Sequence, residues 1–323
     1  MGRLKYLKMI TRPTVFILGA GASYGFGYPL GKNLVEIILK NFDPDNSDNA
    51  IELFTGLGFS EEEIISFRNQ LRLSAAPSID SFLEPRGEDI RYLGKLAIAY
   101  ALIPFEKTEP LFYESSWYIT LLNKLKSTFT DFEKNRLAFI TFNYDRSLEH
   151  FLMTALVNQF NKTEQEVAEK LKKIPIIHLY GKLGMLPWET VKSDEYSREY
   201  SSKVLPHLLR RSSKSLKIIY DKLELDNEDF RQARKILSNA RKVYFLGFGY
   251  HSDNLERLKI KLLASSTTGI TSTTTPTVSR IIEGTSFKLP QDLKESIPKI
   301  YKIRFPNHDW DINEFFEQKI RLD

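Results

Sequence analysis

The feature that most constrains this chain is a short apolar run, Val15-Phe16-Ile17-Leu18, that stops on glycine and gives way to helical spacing. A run that is apolar on both faces reads as a buried parallel strand. The loop Gly19 to Gly31 follows, and then Leu34, Ile37, Ile38 and Phe42 fall on one helical face within Asn33 to Phe42. The unit is therefore strand, glycine loop, helix. Three further runs repeat it. Leu137 to Phe142 ends at Asn143-Tyr144-Asp145 and leads into an amphipathic helix, Arg146 to Phe160. Ile174 to Leu179 is closed by Gly181 and Gly184, with Pro175 near the strand start, where proline is tolerated. Lys242 to Leu246 is followed by Gly247-Phe248-Gly249 and a helix from about Asp253. Strands separated by helices predict an α/β fold, a Rossmann-like doubly wound parallel sheet.

The 323 residues suit one such domain carrying helical insertions. The first insertion, about 44–135, is helical in pattern, with Ser60 capping an acidic first turn and Pro77-Ser78-Ile79-Asp80 breaking the periodicity. The second spans about 186–240. Residues 186–212 read as a loop or extended segment, and Asn227 to Ala240 as a capped helix. Thr163 with Glu166 marks another helix start. Ser265 to Ser279 reads as a flexible loop or edge segment, Lys299 to Phe305 as a last strand, and the chain from about Asp311 as a terminal helix.

Composition excludes several chemistries. With no cysteine, disulfides and thiolate zinc sites are ruled out, and the five histidines are dispersed with no HExxH-like spacing. No zinc module and no metal are expected. The net charge of +5 is spread along the chain without a dense basic tract, so direct nucleic-acid binding is not expected. Met1 to Pro13 has no apolar core of a secretory signal, and Leu96 to Phe105 is too short to span a bilayer. The expectation is a cytoplasmic protein without membrane contact.

Chemistry-bearing residues gather at the strand ends. Gly19-Ala20-Gly21-Ala22-Ser23 allows backbone to approach a pyrophosphate, or simply makes a tight turn. Its third glycine is Gly25, so the dehydrogenase spacing is incomplete. Thr141, Asn143 and Asp145 suit the orientation of a ribose hydroxyl or water, or else cap the following helix. His178 and Tyr180 lie two apart on one face of a strand, where a histidine serves as a base or as a structural group. Gly247, Gly249, Asp253 and Asn254 form a turn into a helix, fit for a ribose or adenine or for an ordinary connection.

In this order the four segments resemble the sirtuin-like NAD⁺-binding family, with its GAG-x-S loop, T-x-N-x-D strand end, histidine-glycine strand end and late glycine turn. Tyr28-Pro29-Leu30 and Ser78 to Leu83 are similar to segments of the bacterial sirtuin-like proteins of antiphage defence. The likeness spans about residues 14–260. It departs from sirtuin deacylases in lacking four zinc cysteines, in Phe142 where glutamine is usual, and in Tyr180 where the catalytic histidine immediately precedes glycine. The resemblance implies an NAD⁺ glycohydrolase acting in defence, with NAD⁺ as substrate and no metal. It implies Asn143 and His178 as catalytic, and Gly19, Ala20, Gly21, Ser23, Asp80, Thr141, Asp145, Tyr180, Gly247, Gly249, Asp253 and Asn254 as the NAD⁺ contacts. It further implies homo-oligomerisation, or control by a partner such as a HerA-type ATPase. An ADP-ribosyltransferase, a deacylase and a non-catalytic NAD⁺-binding module remain the alternatives.

Overall fold

The computed structural model describes residues 9–125, 127–190, 195–218, 227–265 and 280–320. They form an all-parallel sheet of five strands: β1 (Thr14–Leu18), β2 (Leu137–Thr141), β3 (Ile176–His178), β4 (Lys242–Leu246) and β5 (Ile281–Gly284). Their spatial order is β3-β2-β1-β4-β5. Every residue of β1, β2 and β4 is buried, which is why these runs are apolar throughout instead of alternating. Phe16 pairs in register with Phe139 on one side and Tyr244 on the other, and their rings stack at 5.6 Å each. Phe316 closes that aromatic row at 5.4 Å and stacks in turn on Trp117.

Helices connect the strands. A short α1 (Gly21–Tyr24) follows β1, then α2 (Gly31–Asn41), α3 (Ile51–Thr55), α4 (Glu61–Leu73), α5 (Ile79–Leu83), α6 (Glu88–Leu102) and α7 (Trp117–Lys124) lead to β2. Next come α8 (Ser147–Phe160) and α9 (Glu164–Leu171) before β3, and α10 (Pro206–Ser215) and α11 (Glu228–Asn239) before β4. After β4 lie α12 (Ser252–Arg257) and α13 (Ile260–Ser265), and after β5 α14 (Gln291–Tyr301) and α15 (Ile312–Gln318). The capping signals hold in detail. Ser60 with Glu63 and Thr163 with Glu166 form reciprocal capping boxes, and the Asn227 side chain accepts from the Phe230 amide.

Two expectations need correction. Residues 206–212 of the supposed loop 186–212 belong to α10, entered through Pro206 at a position where a proline costs no hydrogen bond. Residues 191–194 of that stretch lie outside the described residues, as do 219–226 of the second insertion and most of the Ser265 to Ser279 segment. The supposed strand Lys299 to Phe305 begins inside α14, because Ile297 and Tyr301, four apart, are both buried on one helical face. Lys302 ends that helix in the left-handed region, and the remainder makes a single parallel bridge, Glu283 to Arg304. The fifth strand is instead Ile281–Gly284, too short to register as an apolar run.

In an open parallel sheet, ligands bind beyond the carboxyl ends of the strands, at the point where strand order reverses. Here that point lies between β1 and β4. The glycine loop, the Asn143 turn, Tyr180 and the Gly247 turn all leave the sheet on this edge. Among the described residues no helix is long and apolar enough to cross a membrane.

Candidate functional site

Gly19 and Gly21 bring two loops into contact. The Gly19 amide donates to the Leu246 carbonyl and the Gly21 amide to the Gly247 carbonyl. A Cβ on either residue would lie 2.7 Å from backbone of the Gly247-Phe248 turn. Gly247 itself has φ 55°, and a Cβ there would sit 2.2 Å from the Ala22 nitrogen. Ala22 and Ser23 donate to the Gly19 and Ala20 carbonyls. The amides of Gly19, Gly21, Ala22 and Ser23 are thus bonded within the protein. The glycines allow the close packing of these two loops. Ala20 is half-buried at the rim of this turn.

Asn143 links the β2 end to that loop. Its side-chain amide donates to the Gly19 carbonyl at 2.9 Å and to Ser23 Oγ at 3.1 Å, while its backbone amide donates to Thr141 Oγ1 at 3.0 Å. Asn143 therefore does not cap α8, and its Oδ1 is left for a hydroxyl or a water. Capping falls to Asp145, whose Oδ1 accepts from the Ser147 amide and hydroxyl and whose Oδ2 accepts from Ser23 Oγ at 2.7 Å. Burial pushes the Asp145 carboxyl up, against the pull of those three donors.

His178 is buried behind Asn143. Its Nδ1 lies 2.9 Å from the Asn143 carbonyl oxygen and its Nε2 2.7 Å from Glu149 Oε1. Both ring nitrogens are therefore engaged within the protein. Lys182 adds a cation, 3.0 Å from Glu149 and 2.5 Å from Glu189. Burial raises the Glu149 carboxyl, but Lys182 and His178 outweigh it and hold the group below the usual carboxylate range. His178 thus ties the Asn143 backbone to the buried Glu149.

Tyr180 is buried at the same strand edge. Its hydroxyl donates to Asn254 Oδ1 at 3.0 Å and accepts from Arg257 at 2.6 Å, and Arg257 also pairs with Glu84 at 3.0 Å. Phe142 and Phe248 form an aromatic cluster beside it, with Phe142 centred 5.8 Å from Tyr180 and 5.1 Å from Phe248. Asp80 reaches the same cluster and accepts from the Tyr144 hydroxyl. Burial pushes Asp80 up, opposed by Tyr144 and by the nearby Arg257 charge. Two expected residues fall outside the cluster. Asp253 is exposed and meets only Ser252, and a Cβ on Gly249 would meet the His251 ring.

Tyr144, Glu84 and Arg257 were not singled out by sequence reasoning. Spacing offered the signal, since Glu84 stands four residues after Asp80 and Arg257 three after Asn254, each on its partner's helical face. Among the described residues no cluster of three histidine, cysteine or acidic side chains could hold a metal ion. An open depression on α4, lined by Glu62, Ile65, Ser66, Asn69 and Leu73, shares none of these residues. The arrangement as a whole offers a hydrogen-bond acceptor at Asn143, a carboxyl of raised affinity for protons at Asp80, and a cluster of mutually tilted aromatic rings. That set suits a planar heterocycle attached to a hydroxylated ring. No family model matches the chain, and no curated protein matches it.

Proposed function

We propose that this protein binds NAD⁺ across the β1–β4 crevice and cleaves it to nicotinamide and ADP-ribose. The observation that carries the reading is Asn143. Its amide is anchored to Gly19 and Ser23, so its Oδ1 is held in one orientation at the strand edge. The resemblance of the ordered segments to sirtuin-like proteins supplies the substrate class.

Nicotinamide in NAD⁺ is already a cationic leaving group, so breaking its bond to the ribose needs little acid help. The site has to orient the ribose, tolerate an oxocarbenium-like state and admit water. Asn143 Oδ1 accepts a hydrogen bond from a ribose hydroxyl or from the attacking water. The proton that water loses passes to Asp80, which burial has made a better proton acceptor. The balance is NAD⁺ and water giving ADP-ribose, nicotinamide and a proton. A cytoplasmic role as an NAD⁺-depleting effector of antiphage defence, homo-oligomeric or partnered with a HerA-type ATPase, rests on the resemblance alone.

One observation favours a second reading. His178 has no free nitrogen, and that suits a module that binds NAD⁺ without cleaving it. Nicotinamide release by the purified protein separates the two. Wild type should release it, and Asn143→Ala should lower the rate by at least about a hundredfold, the scale of a lost catalytic contact. NAD⁺ bound by the wild type without any release, alone or beside a candidate partner, would establish the binding module instead.

A further inference from the structure

We propose that the Arg257–Glu84 ion pair is a latch that holds the cleft shut, with α12 as the part that moves. This rests on the preceding reading only in taking the crevice to be where substrate enters.

The two sides of the latch come from distant stretches of chain. Glu84 caps α5, in the helical stretch between β1 and β2, and Arg257 is the last residue of α12, beyond β4. Elsewhere α12 seats Leu255 in the core, packs on α13 and accepts at the Arg257 carbonyl from Arg234 of α11, while α5 packs on α6 and α2. Arg257 therefore bridges two bodies that otherwise have their own neighbours. It also occupies the cleft's polar groups. Tyr180 spends its donor on Asn254 and accepts from Arg257, both carried by α12. No substrate can bond the Tyr180 hydroxyl in place of these groups unless α12 shifts, and such a shift draws Arg257 away from Glu84.

Two further observations mark this contact as releasable. The Arg257 and Glu84 side chains are 15% and 40% exposed, whereas the structural pair Arg146–Glu106 is 0% exposed on both sides. A pair with one partner so exposed shifts a local equilibrium by no more than about fivefold. Moreover, α12 is bounded by two non-glycine residues in the left-handed region, Tyr250 at φ 54° before it and Lys259 at φ 55° after it. Such conformations persist only while their surroundings enforce them, and they commonly border segments that switch.

The test uses the full chain in three forms: wild type, Glu84→Gln, and the charge-keeping Glu84→Asp. Amide hydrogen exchange over residues 79–84 and 252–258 reports opening directly. Glu84→Gln should speed exchange in both segments by about threefold, and Glu84→Asp should stay closer to wild type. Nicotinamide release should rise and fall in step. Unchanged exchange in Glu84→Gln overturns the latch. Release that drops while exchange rises also overturns it and makes Glu84 a substrate contact. Exchange that follows the charges while no form releases nicotinamide leaves the latch standing and removes the glycohydrolase reading.

Discussion

His178 holds two buried acceptors apart, the Asn143 carbonyl and the Glu149 carboxylate. Removing it strands Glu149 with Lys182 alone and frees the Asn143 backbone. Breaking one arm of a buried charge network costs about 3–5 kcal/mol, so His178→Ala should lose about that much unfolding free energy in urea. His178→Gln, which keeps one donor, should lose less. A stability loss of under about 1 kcal/mol would show that the ring is not structural and would reopen its catalytic role. His150 offers a pH-dependent counterpart. Burial, and then the Arg146 charge, lower its pKa to about 4. The folded state therefore binds fewer protons than the unfolded state between the ordinary histidine value, about 6.5, and about 4. Stability from this group is complete above the upper limit and is lost as pH falls through the window. Unfolding free energies measured at intervals from pH 7 to pH 4 should decline more steeply for wild type than for His150→Gln. Parallel curves would mean that His150 keeps an ordinary affinity for protons when folded.

At the scale of elements, the Gly247 turn joins β1 and β4 beyond hydrogen bonding. Gly247→Ala combines a left-handed backbone, costing about 1–2 kcal/mol, with a Cβ 2.2 Å from the Ala22 nitrogen that forces about 1–3 kcal/mol of displacement. Gly25→Ala is the control, because Gly25 is right-handed with nothing near its virtual Cβ, and it should be neutral or slightly stabilising. Thermal unfolding of both variants checks this, and equal transition temperatures would mean the two loops do not need their close approach. The sequence made the central elements legible for the same reason that they matter. β1, β2 and β4 are apolar on both faces, and a helix start such as Ser60 with Glu63 is decided within four residues. The β3 edge was legible as an apolar run, but the β5 edge was not. Ile281–Gly284 is a strand only because β4 and Arg304 flank it, and Tyr301, Ile303 and Phe305 alternate like a strand although Tyr301 belongs to a helix. At the site, residue types and strand ends could be read but hydrogen-bond partners could not. The expected shared strand face fails because β3 ends at His178 and Tyr180 lies in the turn beyond it, so one side chain meets Glu149 inside and the other meets α12.

The whole molecule gathers residues from position 19 to position 257 at one sheet edge, and the strand order β3-β2-β1-β4-β5 accomplishes this. Because β4 adds to β1 on the side away from β2, the loops after β1 and β4 diverge above the sheet except where Gly19 and Gly21 meet Gly247. A ligand seated there would touch both halves and bind only the folded chain, so it must raise stability by mass action. At a hundred times its dissociation constant the gain is about 2.7 kcal/mol. ADP-ribose is the ligand of choice, since it lacks the bond to be cleaved and separates occupancy from chemistry. It should raise the unfolding temperature of the wild type by several degrees, and of Asn143→Ala nearly as much if, as proposed, that side chain acts at the ribose–nicotinamide end. A shift without nicotinamide release places the protein among nucleotide-binding modules. No shift with millimolar ADP-ribose or NAD⁺ would mean that the Asp80–Tyr144 and Glu84–Arg257 contacts fasten the helical stretch to the rest of the fold and nothing more. Those same contacts would then count towards stability, and Tyr144→Phe would weaken the fold without any ligand to consider.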